Sequence, residues 1–125
     1  IEGRLVERDR LAEKYIDALG SVSGLTMPVT DSESRRGWFT FPMLLPREIN
    51  RDRVMLAMEE VGIETADYFP ALHNLPDYSD FCIQRGALDT AKDVGQRLLC
   101  VPLWDGIDDG TIETIVAELG KAVTS

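Results

Sequence analysis

The segment QRLLCVPLWDGIDDGTIETIVAELGKAV, Gln96 to Val123, decides the architecture. Its first half holds LLCVPL, a short apolar run that reads as a strand. Its second half opens on Asp108 and Asp109, acids suited to a helix N-terminus. It then repeats apolar residues at Ile112, Ile115, Val116 and Leu119, one stripe of a helix, and carries Lys121 in the last turn. A strand feeding an amphipathic helix through a short connection is the unit of a two-layer α/β domain.

The same alternation runs upstream. Ala87 to Arg97 has helical spacing at Leu88, Ala91, Val94 and Leu98. Ile63 to Tyr68 reads as a short strand, and Arg51 to Val61 as a helix with Val54, Ala57, Met58 and Val61 on its inner stripe. Asn50 or Asp52 caps that helix and Gly62 ends it. Trp38 to Leu44 is an aromatic and apolar strand in which Pro42 demands an edge position or a strand end. The first helix runs to about Leu19, with Leu5, Leu11, Ala12, Tyr15, Ile16 and Leu19 on one stripe and Gly20 as its C-terminal glycine. Residues 20–37 form a loop rich in Ser, Gly and Arg. Four helical segments and three short strands therefore predict a two-layer sandwich: a small, about three-stranded sheet with helices packed on one face, in a single domain spanning residues 1–125. The stripe of the first helix is expected to lie open to another part of a longer protein.

Composition narrows the function. Thirteen basic against 22 acidic residues give a net charge of -9, a surface that repels phosphate backbones and anionic lipids, so nucleic acid and membranes are poor partners. The longest apolar run is far short of the ~20 residues of a membrane span, and no basic-then-apolar signal opens the chain; a soluble, cytosolic protein is expected. Cys82 and Cys100 are too few and too widely spaced for a disulfide framework or a metal site, and are expected to stay reduced. The first residue is Ile1 rather than methionine, and the chain is read as a piece of a longer one.

No glycine-rich phosphate loop, GxSxG, HExxH or Ser–His–Asp spacing is present. Lys14, Lys92 and Lys121 fall on amphipathic helices among polar neighbours, where a lysine is solvated and protonated rather than nucleophilic. The chain alone is thus expected to hold no catalytic residue and no cofactor. The exception to this blandness is ADYFPALHNLPDY, Ala66 to Tyr78. Pro70 and Pro76 stiffen it, Tyr68, Phe69 and Tyr78 supply rings, and His73 is the single histidine of the chain. Such a loop either walls a pocket, with His73 bonding a ligand hydroxyl or carboxylate, or plugs the edge of the core. Arg35 and Arg36 form the one arginine pair in a loop; they either bind an anionic group or are simply solvated.

The succession SRRGWFTFPMLL, NRDRVMLAMEEVGIETADYFPALHNLPDY and RLLCVPLWDGI resembles the C-terminal part of DegT/StrS-type sugar aminotransferases, over nearly the whole chain. The resemblance rests most on Arg51 and Asp52 opening a helix, Gly62 and Ile63 closing it, the Tyr68 to His73 segment, and Pro102 after its apolar run. It implies the small C-terminal domain of a fold type I enzyme that uses pyridoxal phosphate to move an amino group from an amino acid, usually glutamate, to a nucleotide-linked keto-sugar, as a homodimer. It also implies that the cofactor-holding residues belong to a large domain upstream, absent from this chain. His73, Tyr68, Tyr78 and Arg36 are the candidate substrate-binding residues. Arg85 and Gly86 stand where the family commonly has a proline and an acid, and Asn74 where it has an apolar residue or glutamine, so the particular sugar does not follow. A free-standing α/β binding module, or a structural fragment whose rings merely plug the core, are the readings of another class.

Overall fold

The computed structural model describes residues 2–29, 36–68, 70–79, 81, 83 and 85–124, Ser79 by its backbone alone. Arg35, Phe69 and Cys82 lie outside the described residues. The order of elements is α1 (Glu2–Leu19), β1 (Phe41–Leu44), α2 (Arg51–Glu60), a 3-10 turn (Leu72–Asn74), α3 (Pro76–Ser79), α4 (Asp89–Arg97), β2 (Leu98–Val101) and α5 (Asp109–Thr124).

β1 and β2 pair antiparallel, with Phe41 opposite Val101 and Leu44 opposite Leu98. Each strand gains one antiparallel bridge on its other side, Thr26 to Leu44 and Ala66 to Cys100. The strand expected over Ile63 to Tyr68 therefore contracts to Ala66, which exchanges both backbone bonds with Cys100 at 3.0 and 2.7 Å. The reason is local. α2 ends in a Schellman motif: Gly62 at φ +80° donates to the Glu59 carbonyl, and the Ile63 amide reaches back to Met58 at 2.9 Å, which withdraws Ile63 from any ladder. Pro42 sits inside β1. Leu44 turns its backbone groups toward Thr26, so Pro42, two residues away, also faces that side, and its missing N–H costs the β1–β2 ladder nothing.

One core joins the layers. Phe41, Met43, Leu45, Leu99 and Val101 of the sheet pack with Leu11, Tyr15 and Leu19 of α1, Val54 and Met58 of α2, and Ile112, Ile115 and Leu119 of α5. α1 and α2 both lie against α5. The α1 stripe is thus buried within this chain, Leu11, Tyr15 and Leu19 at 0% exposure, and not left open as the sequence suggested; α5 already supplies its partner. α2 begins at Asn50, whose side chain accepts from the Arg53 amide at 3.1 Å. α5 begins at Asp108, which accepts from the Thr111 amide at 3.0 Å and from its hydroxyl at 2.7 Å; these bonds hold the Asp108 carboxyl below the usual carboxylate range. α4 differs from expectation. None of its residues is buried, because it is tied to the domain by polar bonds at its C-terminal end rather than by an apolar stripe.

Tyr15 ties α1 to both strands. Its ring stacks on Phe41 at 4.9 Å, and its hydroxyl donates to the Pro102 carbonyl at 2.8 Å. Burial pushes its phenol well above the ordinary tyrosine value. Tyr15→Phe keeps the stack and removes the bond, so urea titration should show a loss of about 1 kcal/mol in unfolding free energy. Unchanged stability would mean that water satisfies the Pro102 carbonyl equally well.

Candidate functional site

Side chains alternate across a strand, so the residues between the core positions emerge on the face that no helix covers. Pro42 and Cys100 stand opposite each other in the register and share that face with Leu98. With Arg36, Phe39 and Tyr68 they line a cleft of about 320 Å³. A second cleft of about 210 Å³ adjoins it across Phe39, Thr40, Tyr68 and Cys100 and extends to Trp104 and Glu64. Phe39, Tyr68 and Trp104 form an exposed aromatic rim, at 62%, 48% and 48%, with the Phe39 and Tyr68 rings edge to face at 6.1 Å.

Arg36 is held at this rim. Its Nη2 donates to the Val29 carbonyl at 2.5 Å, and its guanidinium lies 5.4 Å over the Trp38 ring. Trp38 stacks on Phe41 at 5.8 Å, so a column of packed groups runs from Arg36 at the surface to Tyr15 in the core. Trp38 takes φ +38°, a left-handed conformation that a bulky residue adopts only where its surroundings impose it. The strand expected from Trp38 starts at Phe41 for this reason.

His73 and Tyr78 lie elsewhere. His73 is the middle residue of the 3-10 turn and is half-buried; its Nε2 is shut off from solvent with no hydrogen-bond partner among the described residues. Leaving such an atom unpaired costs about 1–3 kcal/mol. Tyr78, in α3, is half exposed. The structure thus brings Arg36 and Tyr68 to one cleft and places His73 and Tyr78 outside it, on the 3-10 turn and on α3 that follows it. Phe39, Pro42, Cys100 and Trp104 were not singled out from the sequence as site residues. The signal was there in the period-2 alternation of β1 and β2, whose second face is as apolar as the first.

The lysines do not approach these clefts. Lys14 pairs with Asp109, Lys121 with Glu118 at 2.6 Å, and Lys92 is exposed on α4. The described residues therefore do not fit a cofactor that requires a lysine, and no group of His, Cys, Asp and Glu suited to a metal occurs among them. Among the described residues no helix is long and apolar enough to cross a membrane.

Comparison with known proteins places these features in context. The sequence pattern of the DegT/DnrJ/EryC1/StrS aminotransferase family matches residues 1–120. The chain is 36% identical over 118 residues to the dTDP-4-dehydro-2,3,6-trideoxy-D-glucose 4-aminotransferase of Saccharopolyspora spinosa, covering 93% of this chain and 29% of that one. It is 27% identical over 97 residues to the dTDP-3-amino-3,4,6-trideoxy-alpha-D-glucose transaminase of Streptomyces venezuelae, covering 77% of this chain and 25% of that one. The crystal structure of the aminotransferase TlmJ from Streptoalloteichus hindustanus superposes with a TM-score of 0.82 at 22% identity, over 96% of this chain and 32% of that one; at that identity the likeness is one of fold. The chain spans less than a third of each of these proteins.

Cys100 lines both clefts yet is 3% exposed, and burial pushes its thiol up from the ordinary value. A raised pKa means less thiolate at neutral pH, and thiolate is the reactive form. Native protein at pH 7.5 should therefore leave Cys100 unmodified by iodoacetamide under conditions that label it fully in urea, as read by peptide mass mapping. Labelling at the same rate in both states would show that the cleft is open to reagents down to its floor.

Proposed function

Because this chain belongs to the DegT/DnrJ/EryC1/StrS aminotransferase family, we propose that it is the small C-terminal domain of a pyridoxal-phosphate-dependent sugar aminotransferase, and that its open sheet face walls the substrate cleft. The observation that carries the reading is the family match along residues 1–120 in a chain that spans 29% of the sugar aminotransferase of S. spinosa. The substrates proposed are an amino acid donor, glutamate, and a nucleotide-linked keto-sugar. The complete protein would be a cytoplasmic homodimer, and a large domain would hold the cofactor.

Pyridoxal phosphate, when bound, supplies the electron sink for amino transfer; its holding lysine is assigned to the large domain. The residues of this chain bind and exclude. Phe39, Tyr68 and Trp104 present flat apolar surface that keeps water from a sugar held against it. Arg36, already fixed over Trp38, has guanidinium donors left for an anionic group such as a diphosphate. His73 is proposed to bond a substrate hydroxyl or the donor's carboxylate, which requires its turn to shift so that Nε2, enclosed in this arrangement, is reached; Tyr78 stands on α3, which follows that turn.

The test uses the complete protein, with transfer from glutamate to nucleotide-linked keto-sugars followed by mass spectrometry. The expected result is amination of at least one such sugar. His73→Asn should lower kcat/KM at least tenfold, the loss of one positioned hydrogen bond of about 1–3 kcal/mol, without a marked loss of stability, since the enclosed Nε2 that it removes has no partner among the described residues. Marked loss of stability with near-normal kinetics would make His73 a packing residue.

A further inference from the structure

Arg51 stands outside both clefts, yet its side chain is only 17% exposed. It opens α2, and its guanidinium forks between two separate elements. Nη1 donates to the Gly95 carbonyl of α4 at 2.7 Å, and Nη2 lies 3.2 Å from the Asp67 carboxylate. Its own neighbour Asp52 is a weaker third contact at 3.4 Å. Asp67 follows Ala66, which bridges to the sheet, and precedes Tyr68, which lines the cleft. Gly95 faces the same segment further on: a methyl group there would stand in ordinary contact, 3.5 Å, with the Ala71 Cβ. Ala71 in turn leads into the turn that carries His73.

We propose that Arg51 is the positioning residue of the substrate wall, setting Asp67 and its neighbour Tyr68 by holding the Asp67 carboxylate against α2 and α4. This rests on the reading of Tyr68 as a substrate-facing residue. Without the fork, Asp67 loses its tie to α2 and α4, and Tyr68 beside it is held less closely in its place on the cleft. A lysine cannot substitute: its compact ammonium lacks the planar fork that reaches two acceptors in fixed directions. Misplacing a substrate contact by about 1 Å costs up to about a hundredfold in rate, so a modest release of this segment is visible in kinetics.

The experiment compares Arg51→Lys and Asp67→Asn with the unaltered protein, using the complete enzyme. Amide exchange at Asp67 and Tyr68 should accelerate at least about tenfold in both variants, with α5 amides unchanged. KM for the keto-sugar should rise about tenfold with kcat within about threefold, and the double variant should be no worse than the more impaired single one, as for groups that act as a unit. Exchange that stays unchanged at Asp67 and Tyr68 would overturn the inference. Faster exchange with unaltered sugar KM would also overturn it, while leaving the proposed function standing. An unaltered enzyme that aminates no nucleotide-linked keto-sugar would instead overturn the proposed function, and the exchange comparison would still decide whether Arg51 holds the segment.

Discussion

The contact between Tyr15 and the sheet is the constraint on which the rest depends. Tyr15 stacks on Phe41 of β1 and donates to the Pro102 carbonyl beyond β2, so a single side chain of α1 spans both strands and fixes which face of the sheet the helices cover. With four residues in each strand, the sheet has no stability of its own in water; it exists because α1, α2 and α5 bury one side of it. Their shared core takes Phe41, Met43, Leu99 and Val101 and, by the alternation of the pleat, turns Pro42, Leu98 and Cys100 outward.

That sidedness converts a packing fact into a site. A strand that reads LLCV is apolar on both faces, the pattern of a sheet covered on both, whereas this one has helices for one. The uncovered side carries the two adjoining clefts, with an aromatic rim and an arginine fixed at its edge. Trp38 links site to core: buried between Arg36 and Phe41 in a left-handed conformation, it transmits the position of the sheet to the Arg36 guanidinium at the cleft.

The helical layer was legible in the sequence because its signals are local. Period 3.6 in α5, the cap at Asn50 and the stop at Gly62 each act within one or two turns. The stripe of α1 was legible too, but its partner was not, since which surface covers an apolar stripe depends on the pairing of segments far apart in the chain, such as Tyr15 and Pro102, 87 residues apart. Ile63 to Tyr68 has strand composition, yet the helix cap takes its first amide and Asp67 is drawn to Arg51, so one paired residue remains. The apolar spacing of α4 predicted burial where polar anchors act instead: Arg97 bonds Asp93 at 2.6 Å and the Leu45 carbonyl at 2.8 Å, and holds the Asp93 carboxyl below the usual carboxylate range. Of the candidate site, Arg36, Tyr68 and His73 stood out as a cation, a ring and an imidazole between prolines. Cys100 and Pro42 did not, because they acquire a role only through the face on which the register places them.

The central claim is that the face of the sheet left open by the helices is where a nucleotide-linked sugar lies in the complete protein. Photo-affinity labelling with a keto-sugar nucleotide bearing a diazirine on the sugar, followed by peptide mapping, tests it most directly. The account predicts label on Phe39, Tyr68 or the 71–74 turn, abolished by excess unmodified nucleotide-sugar. Competable label confined to residues outside this chain, or to the helical face of α1 and α5, would contradict it.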